Sequence, residues 1–286
     1  MSESVAEAGA SPRVLAIEDY SEVGRCSLTV ALPTISAMGV ECVGLPTALF
    51  SNHTAFPSWH AVDLTSEILP AVRKWKELGQ KFDLFYTGYL TTAQVATVEE
   101  ALDELWEPDS VLFVDPAFAD GGKLYPGFDE SHVEAMRSLL KKSGLAKPNV
   151  TEAMFLTGVR SEPSTLSEAV DLAEKVKALG PKTVILSGIS FLRGRQTVLL
   201  YDGKEPKVFA KDSIPGYFHG TGDLFSSVIA GAAALHMPLD EAVPLAQAFV
   251  SRSLGHNVSD GVPAAQGPCF EKEIAWLSKA TRKALP

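Results

Sequence analysis

The sequence predicts an α/β protein: a mainly parallel central sheet with helices on both faces. Three observations carry that prediction. Short apolar runs alternate with amphipathic helical stretches through most of the chain. Several runs are continuously apolar rather than alternating, as strands covered on both faces are. No internal repeat and no Pro/Gly/Ser-rich linker divides the 286 residues. Residues 13–286 therefore read as one domain, preceded by a short flexible N-terminal segment, 1–12.

The elements follow in order. Arg13 to Ile17 is a short strand of the buried type, and Ser27 to Met38 repeats apolar residues at helical spacing until Gly39. Glu41 to Leu45 is a strand, Leu64 to Leu78 a helix, Phe82 to Thr87 a strand and Thr92 to Leu105 a helix. Val111 to Val114 is a strand that runs straight into Asp115. Ser131 to Lys142 and Leu166 to Leu179 are helices, and Thr183 to Ser187 a strand. Thr197 to Tyr201 and Lys207 to Ala210 flank Asp202-Gly203, a hairpin-turn signal. Helices from Leu224 to Leu235 and from Asp240 to Leu254 close the pattern.

A composition of 46% hydrophobic and 21% charged residues can bury a large core. The net charge of −10 argues against a nucleic-acid or acidic-membrane partner, while leaving local donors free to hold a nucleotide. Cys26, Cys42 and Cys269 are an odd set without CxxC spacing, so neither a disulfide framework nor a structural zinc site is indicated. A reducing compartment is the simpler inference. The first twelve residues lack a basic segment followed by an apolar one, and no run approaches a membrane span. These features predict a soluble cytoplasmic protein.

The chemistry concentrates in Phe218-His219-Gly220-Thr221-Gly222-Asp223-Leu224-Phe225, followed by a small-residue helix. Its glycines allow a tight turn, and the first amides of a helix have no intrahelical acceptors, so an anion can dock there. An aspartate beside a docked phosphate is placed to take a proton from an attacking hydroxyl. The competing reading is a plain helix cap made by Thr221 or Asp223.

In parallel sheets, ligands bind beyond the carboxyl ends of the strands. Three loops there are unusual. Phe50-Ser51-Asn52-His53-Thr54 offers groups suited to a polar aromatic ligand, although His53 also reads as a loop pin. Asp115 to Tyr125 holds Asp115, Asp120 and two glycines; its carboxylates suit Mg²⁺, or form an acidic surface turn. Pro148-Asn149-Val150-Thr151-Glu152 could support a metal, or simply start a helix.

Taken in order, Phe50-Ser51-Asn52-His53-Thr54, Thr87-Gly88-Tyr89, Asp115-Pro116, Ala119 to Tyr125, Pro148-Asn149 with Glu152, and Gly220-Thr221-Gly222-Asp223 resemble the pyridoxal kinases of the ribokinase-like superfamily. The resemblance spans nearly the whole chain. The Gly-Thr-Gly-Asp motif is shared with many members of the superfamily, whereas the Phe-Ser-Asn-His-Thr run is much more specific to the pyridoxal branch.

The resemblance implies a three-layer ribokinase-like fold and ATP-dependent phosphorylation of the 5′-hydroxymethyl group of a vitamin B6 compound. It implies Asp223 as catalytic base and the amides of Gly220, Thr221 and Gly222 as anion hole. Asp115, Asp120 and Glu152 would stand near the metal, and Asn149 and Ser187 near the phosphates. Tyr125 would lie in a loop over ATP, with Ile214 and Phe218, alongside Pro215, walling the adenine. His53, Thr54 and Tyr89 would line the vitamin pocket. ATP and Mg²⁺ are the implied cofactors, with a monovalent cation such as K⁺ left open, and the implied assembly is a homodimer.

The chain departs from the pattern after its first strand. Pyridoxal kinases commonly carry Ser-His there, and this chain has Asp19-Tyr20. Asp19 could pair with a ring N–H or a substrate ammonium, favouring pyridoxamine over the aldehyde, or could cap the following helix. Cys26 falls near the pocket, where a hemithioacetal or a small buried helix residue are both open. The alternatives for the whole protein are a hydroxymethylpyrimidine kinase of the same fold and a non-catalytic vitamin- or nucleotide-binding regulator.

Overall fold

The computed structural model describes residues 11–192 and 194–285. Most of the expected N-terminal segment thus lies outside the described residues. In chain order the elements are β1 (Arg13–Ser21), α1 (Leu28–Ala37), β2 (Glu41–Phe50), β3 (Ala61–Asp63), α2 (Thr65–Glu77), β4 (Leu84–Thr87), α3 (Thr92–Leu105) and β5 (Val111–Val114). A small hairpin of β6 (Ala119–Asp120) and β7 (Lys123–Leu124) follows, then α4 (Glu130–Leu140), β8 (Leu145–Ala146), α5 (Val150–Thr157), α6 (Leu166–Lys177) and β9 (Thr183–Ile189). The chain ends with β10 (Arg195–Tyr201), β11 (Lys207–Asp212), α7 (Thr221–Ala234), α8 (Leu239–Asp260) and α9 (Ile274–Ala284).

Nine strands form one sheet in the order β11-β10-β9-β8-β5-β4-β1-β2-β3. The stretch from β9 to β2 is parallel, as expected. Antiparallel pairs close both edges: β3 on β2, and β10 with β11 on β9. Side chains alternate between two covered faces. Val14, Ala16, Leu84, Tyr86 and Phe113 pack against α1, α7 and α8. Leu15, Ile17, Phe85, Leu112 and Val114 pack against α2, α3 and α4. Burying Phe85 or Phe113 in this way contributes about 1.5–3 kcal/mol each.

The structure adds to the sequence reading in five places. β1 continues to Ser21, because Glu18, Tyr20 and Ser21 keep pairing with β2 although polar residues interrupt the apolar run. Pro148 to Glu152 resolves as the start of α5, and α8 runs on to Asp260. Short β3 and the amphipathic α9 escaped the pattern: β3 is exposed along its length, and α9 buries only Leu277 and Thr281. No helix among the described residues is long and apolar enough to cross a membrane.

Parallel pairing sends the carboxyl ends of β1, β4, β5 and β8 to the same edge of the sheet. Asp19 near the end of β1 and the segments after β4, β5 and β8 that carry Tyr89, Asp115 and Asn149 all stand at that edge. The start of α7 reaches it too, since Asp223 contacts Ser27 and Lys147 lies beside Gly222.

Candidate active site

The start of α7 is built from close backbone approach. Gly220 is its N-cap residue at φ 76°, and a Cβ there would stand 1.8 Å from the Arg25 carbonyl oxygen. Only glycine meets both conditions. Among the described residues no side chain caps the helix. Thr221 Oγ1 donates backwards to the Phe218 carbonyl at 3.2 Å, and the Asp223 carboxylate accepts from the Ser27 amide at 2.8 Å. The capping alternative therefore fails for both residues. The first-turn amides of Thr221 and Gly222 keep the dipole's positive end open to an anion.

Asp223 is held by the Ser27 amide among groups that pull its pKa in opposite directions. Desolvation raises its pKa to about 6; Asp115 and Asp19 push the same way, while the Ser27 amide and Lys147 pull it down. Ser27 adopts φ 48°, ψ −137°, a conformation that non-glycine residues rarely occupy. That twist lets its amide reach Asp223 while its Oγ donates to Asp19 Oδ1 at 2.6 Å.

Asp19 does not cap α1. It belongs to β1, where the register with β2 slips so that Thr47 and Ala48 stand opposite Asp19 alone. Such bulges re-aim side chains. Asp19 is buried, accepts from both Ser21 and Ser27, and has a pKa raised by desolvation. Tyr89 stands near it: burial and then the Asp19 charge raise the phenol's pKa. Beneath them Glu18 is fully buried with neither carboxylate oxygen partnered among the described residues, and its Oε2 would lie 2.0 Å from a Cβ at Gly88. The Cys26 thiol is buried and its pKa pushed well up, by desolvation first, which fits the small buried residue rather than a nucleophile.

His53 is a loop pin. Its Nδ1 accepts from the Ala55 amide at 3.2 Å, so Nε2 carries the proton to the Ala265 carbonyl at 2.7 Å. Both nitrogens are engaged, and what the ring can offer a ligand is a face. It packs 4.7 Å from Phe56 and 5.4 Å from His219. Thr54 is exposed on the same loop.

The three acidic candidates do not converge. Asp120 accepts from the Gly121 amide and from Tyr217 Oη, both at 2.7 Å. Glu152 completes a capping box with Asn149 and accepts from the Phe118 amide, so both of its oxygens are engaged. Desolvation, then the Asp115 charge, raise its pKa to about 8. Asn149 in turn donates to the Ala119 carbonyl at 2.8 Å; the helix-start reading of Asn149 and Glu152 holds. Asp115 is buried, and its Oδ2 receives Lys147 Nζ at 2.8 Å and Ser226 Oγ at 2.6 Å. Among the described residues no group of three His, Cys, Asp or Glu could hold a metal. The donors suit a cation that arrives on a phosphate chain and meets one or two carboxylates, as Mg²⁺ commonly does, rather than a protein cage.

On the remaining side, Ser187 is half-buried and bridged to Asn149 across the strand ends. Tyr125 is half-buried after β7, its amide bonded to the Phe118 carbonyl, and burial raises its pKa. Ile214 and Phe218 pack against the core that holds α7. Three residues escaped the sequence reading: Ser27, Glu18 and Lys147. Lys147 alone left a signal, a charge directly after a buried strand and before Pro148-Asn149.

The model for the phosphomethylpyrimidine kinase family matches residues 29–268. The pyridoxal kinase of Arabidopsis thaliana is 26% identical over 271 residues, covering 90% of this chain and 85% of its own. A structure from Bacteroides thetaiotaomicron, provisionally assigned as a phosphomethylpyrimidine kinase and solved with pyridoxal, is 32% identical with a TM-score of 0.89, over 94% of this chain and 96% of that one. The pyridoxal kinase of Leishmania donovani, solved with ADP, is 25% identical with a TM-score of 0.78, over 93% and 95% of the two chains. A glycine-opened helix start, an aspartate in its first turn and these matches along nearly the whole length agree: this chain belongs to the phosphomethylpyrimidine kinase family, alongside the pyridoxal kinases.

Proposed function

We propose that the protein is a pyridoxal kinase, transferring the γ-phosphoryl group of ATP to the 5′-hydroxymethyl group of a vitamin B6 compound. The observation that carries this is Asp223, held by Ser27 in the first turn of an uncapped helix and linked through the same serine to Asp19. The hydroxyl oxygen attacks the γ-phosphorus as the bond to the bridging oxygen breaks. Its proton passes to Asp223, and ADP leaves with the electrons of the broken bond. The amides of Gly220, Thr221 and Gly222 stabilise the charge on the phosphoryl oxygens. Mg²⁺ would neutralise the phosphate chain when bound, with Asp115, whose contacts all use Oδ2, as its first protein ligand. Asp120 and Glu152 act around it through water, and K⁺ is a second cation to test.

Asp19, with Tyr89 beside it, faces the vitamin and favours a protonated ring or amine. His53 and Thr54 cover the ring, while Asn149, Ser187, Tyr125, Ile214 and Phe218 form the ATP side. The test is ATP- and Mg²⁺-dependent formation of pyridoxal 5′-phosphate, run beside pyridoxamine, pyridoxine and hydroxymethylpyrimidine, with Asp223→Ala as control. Wild type no faster than the control on every B6 compound sinks the reading. Faster turnover of hydroxymethylpyrimidine moves the substrate to the pyrimidine side of the family. An order of B6 preference unchanged in Asp19→Ser removes the specificity role of Asp19.

The enzyme works in the cytoplasm, as its free cysteines suit, and as a homodimer. Tyr20, Leu49 and Val62 are in register across β1, β2 and β3, and all are exposed. That apolar row suits a second copy. Sedimentation should show a dimer that Leu49→Lys dissociates; a wild-type monomer rules the dimer out.

A further inference from the structure

Lys147 is a buried cation that the sequence pattern did not anticipate. Its side chain is 7% exposed, and its Nζ stands 2.8 Å from Asp115 Oδ2. An ammonium has three N–H donors. Asp115 takes one; the Gly222 carbonyl, at 3.5 Å, lies at the outer limit of a hydrogen bond. The ring of Phe225 lies 6.0 Å away and accepts no hydrogen bond at that distance. The ammonium therefore retains donor capacity inside the protein. It also stands 3.5 Å from where a Cβ of Gly222 would be. A Cβ at 222 would only touch the ammonium at ordinary contact distance, and with glycine there that side of the ammonium faces the first turn of α7 uncovered.

Resting on the kinase reading above, we infer that Lys147 is a resident cation of the phosphoryl-transfer centre, donating directly to the phosphate chain of ATP beside the amides of α7. The Asp115 carboxylate 2.8 Å away is the counter-charge that favours its ammonium form. It neither forms a bond nor gives up its proton during transfer. Its charge offsets part of the phosphate charge before any metal is bound, so the protein should hold ATP measurably without a divalent ion. The alternative is a plain counter-ion to Asp115. Lysine acts as a point charge on phosphate, and removing one such contact weakens phosphate binding whether or not Asp115 is charged.

The experiment is calorimetric titration with ATP in EDTA, on wild type, Lys147→Met and the double variant Lys147→Met/Asp115→Asn. The double variant removes both charges and avoids an unpaired buried carboxylate, which is strongly destabilising. It therefore carries the test where the single variant fails to fold. The expected result is ATP binding by wild type without metal, weakened at least fivefold in the double variant. A smaller loss, or wild type that binds ATP only with Mg²⁺, overturns the inference. The two readings fail separately. Wild type that makes pyridoxal 5′-phosphate while the double variant binds metal-free ATP normally sinks only the role of Lys147. Metal-free binding that depends on Lys147, in a protein without kinase turnover, sinks only the kinase reading.

Discussion

Asp223 is pulled in opposite directions by groups that can each be altered. Desolvation, Asp115 and Asp19 raise its pKa, and the Ser27 amide and Lys147 lower it, leaving it at about 6. Only the ionised form accepts a proton, so kcat/KM should be level above pH 7 and fall about tenfold per unit well below pH 6. Asp19→Asn removes a charge that raises the pKa. Its acid limb should move to lower pH, by roughly half a unit to one unit. A limb that stays in place means the two carboxyls do not feel each other. Asp223→Asn should keep vitamin binding by calorimetry while kcat falls by about 10²–10⁴-fold, the usual contribution of a general base.

The start of α7 shows how far an element can be read from its residues. Gly220-Thr221-Gly222-Asp223 was legible because glycines followed by an acidic helix start admit few structures, and the parallel sheet was legible from its apolar runs. Ser27 and Lys147 were not. The Ser27 amide meets an aspartate 196 residues away, and Lys147 lies beside a glycine 75 residues away. No local pattern encodes such pairs; they exist only once β1, β8 and α7 share one edge. The same dependence gives one substitution two signs. Gly220→Ala would place a methyl 1.8 Å from the Arg25 carbonyl at φ 76°. It should cost about 1–3 kcal/mol or more in urea unfolding and depress turnover. Gly255→Ala, inside α8 with open space around it, should stabilise by about 0.5–1 kcal/mol with turnover unchanged. Equal effects at both positions would mean that the approach to Arg25 does not constrain the loop.

Across the whole molecule, the end of the sheet that forms the site concentrates carboxyls that resist ionising. Glu18, Asp19, Glu152 and Asp223 all have raised pKa values, with desolvation the leading cause in each. A carboxyl whose pKa is higher folded than unfolded binds more protons in the folded state. Its contribution is therefore least unfavourable below the unfolded value near 4, and stability drains as pH rises toward the folded value. Half-buried Glu104 and exposed Asp129 and Glu168 have lowered values and act the other way, losing stability only as the pH falls through the acid range. The stability maximum should thus lie on the mildly acidic side of neutrality. Glu18 is the sharpest probe, since it is fully buried, without a hydrogen-bond partner among the described residues, and raised further by Asp223, Asp19 and Asp115 in that order. Each pH unit between its two pKa values removes about 1.4 kcal/mol at most. Glu18→Gln has no proton to lose, so it should melt higher than wild type at pH 8, with an advantage that shrinks toward pH 5. Melting curves at the two pH values decide it. An equal advantage at both would show that Glu18 titrates in the folded protein as it does in the unfolded chain, and that no proton store lies beside Asp223.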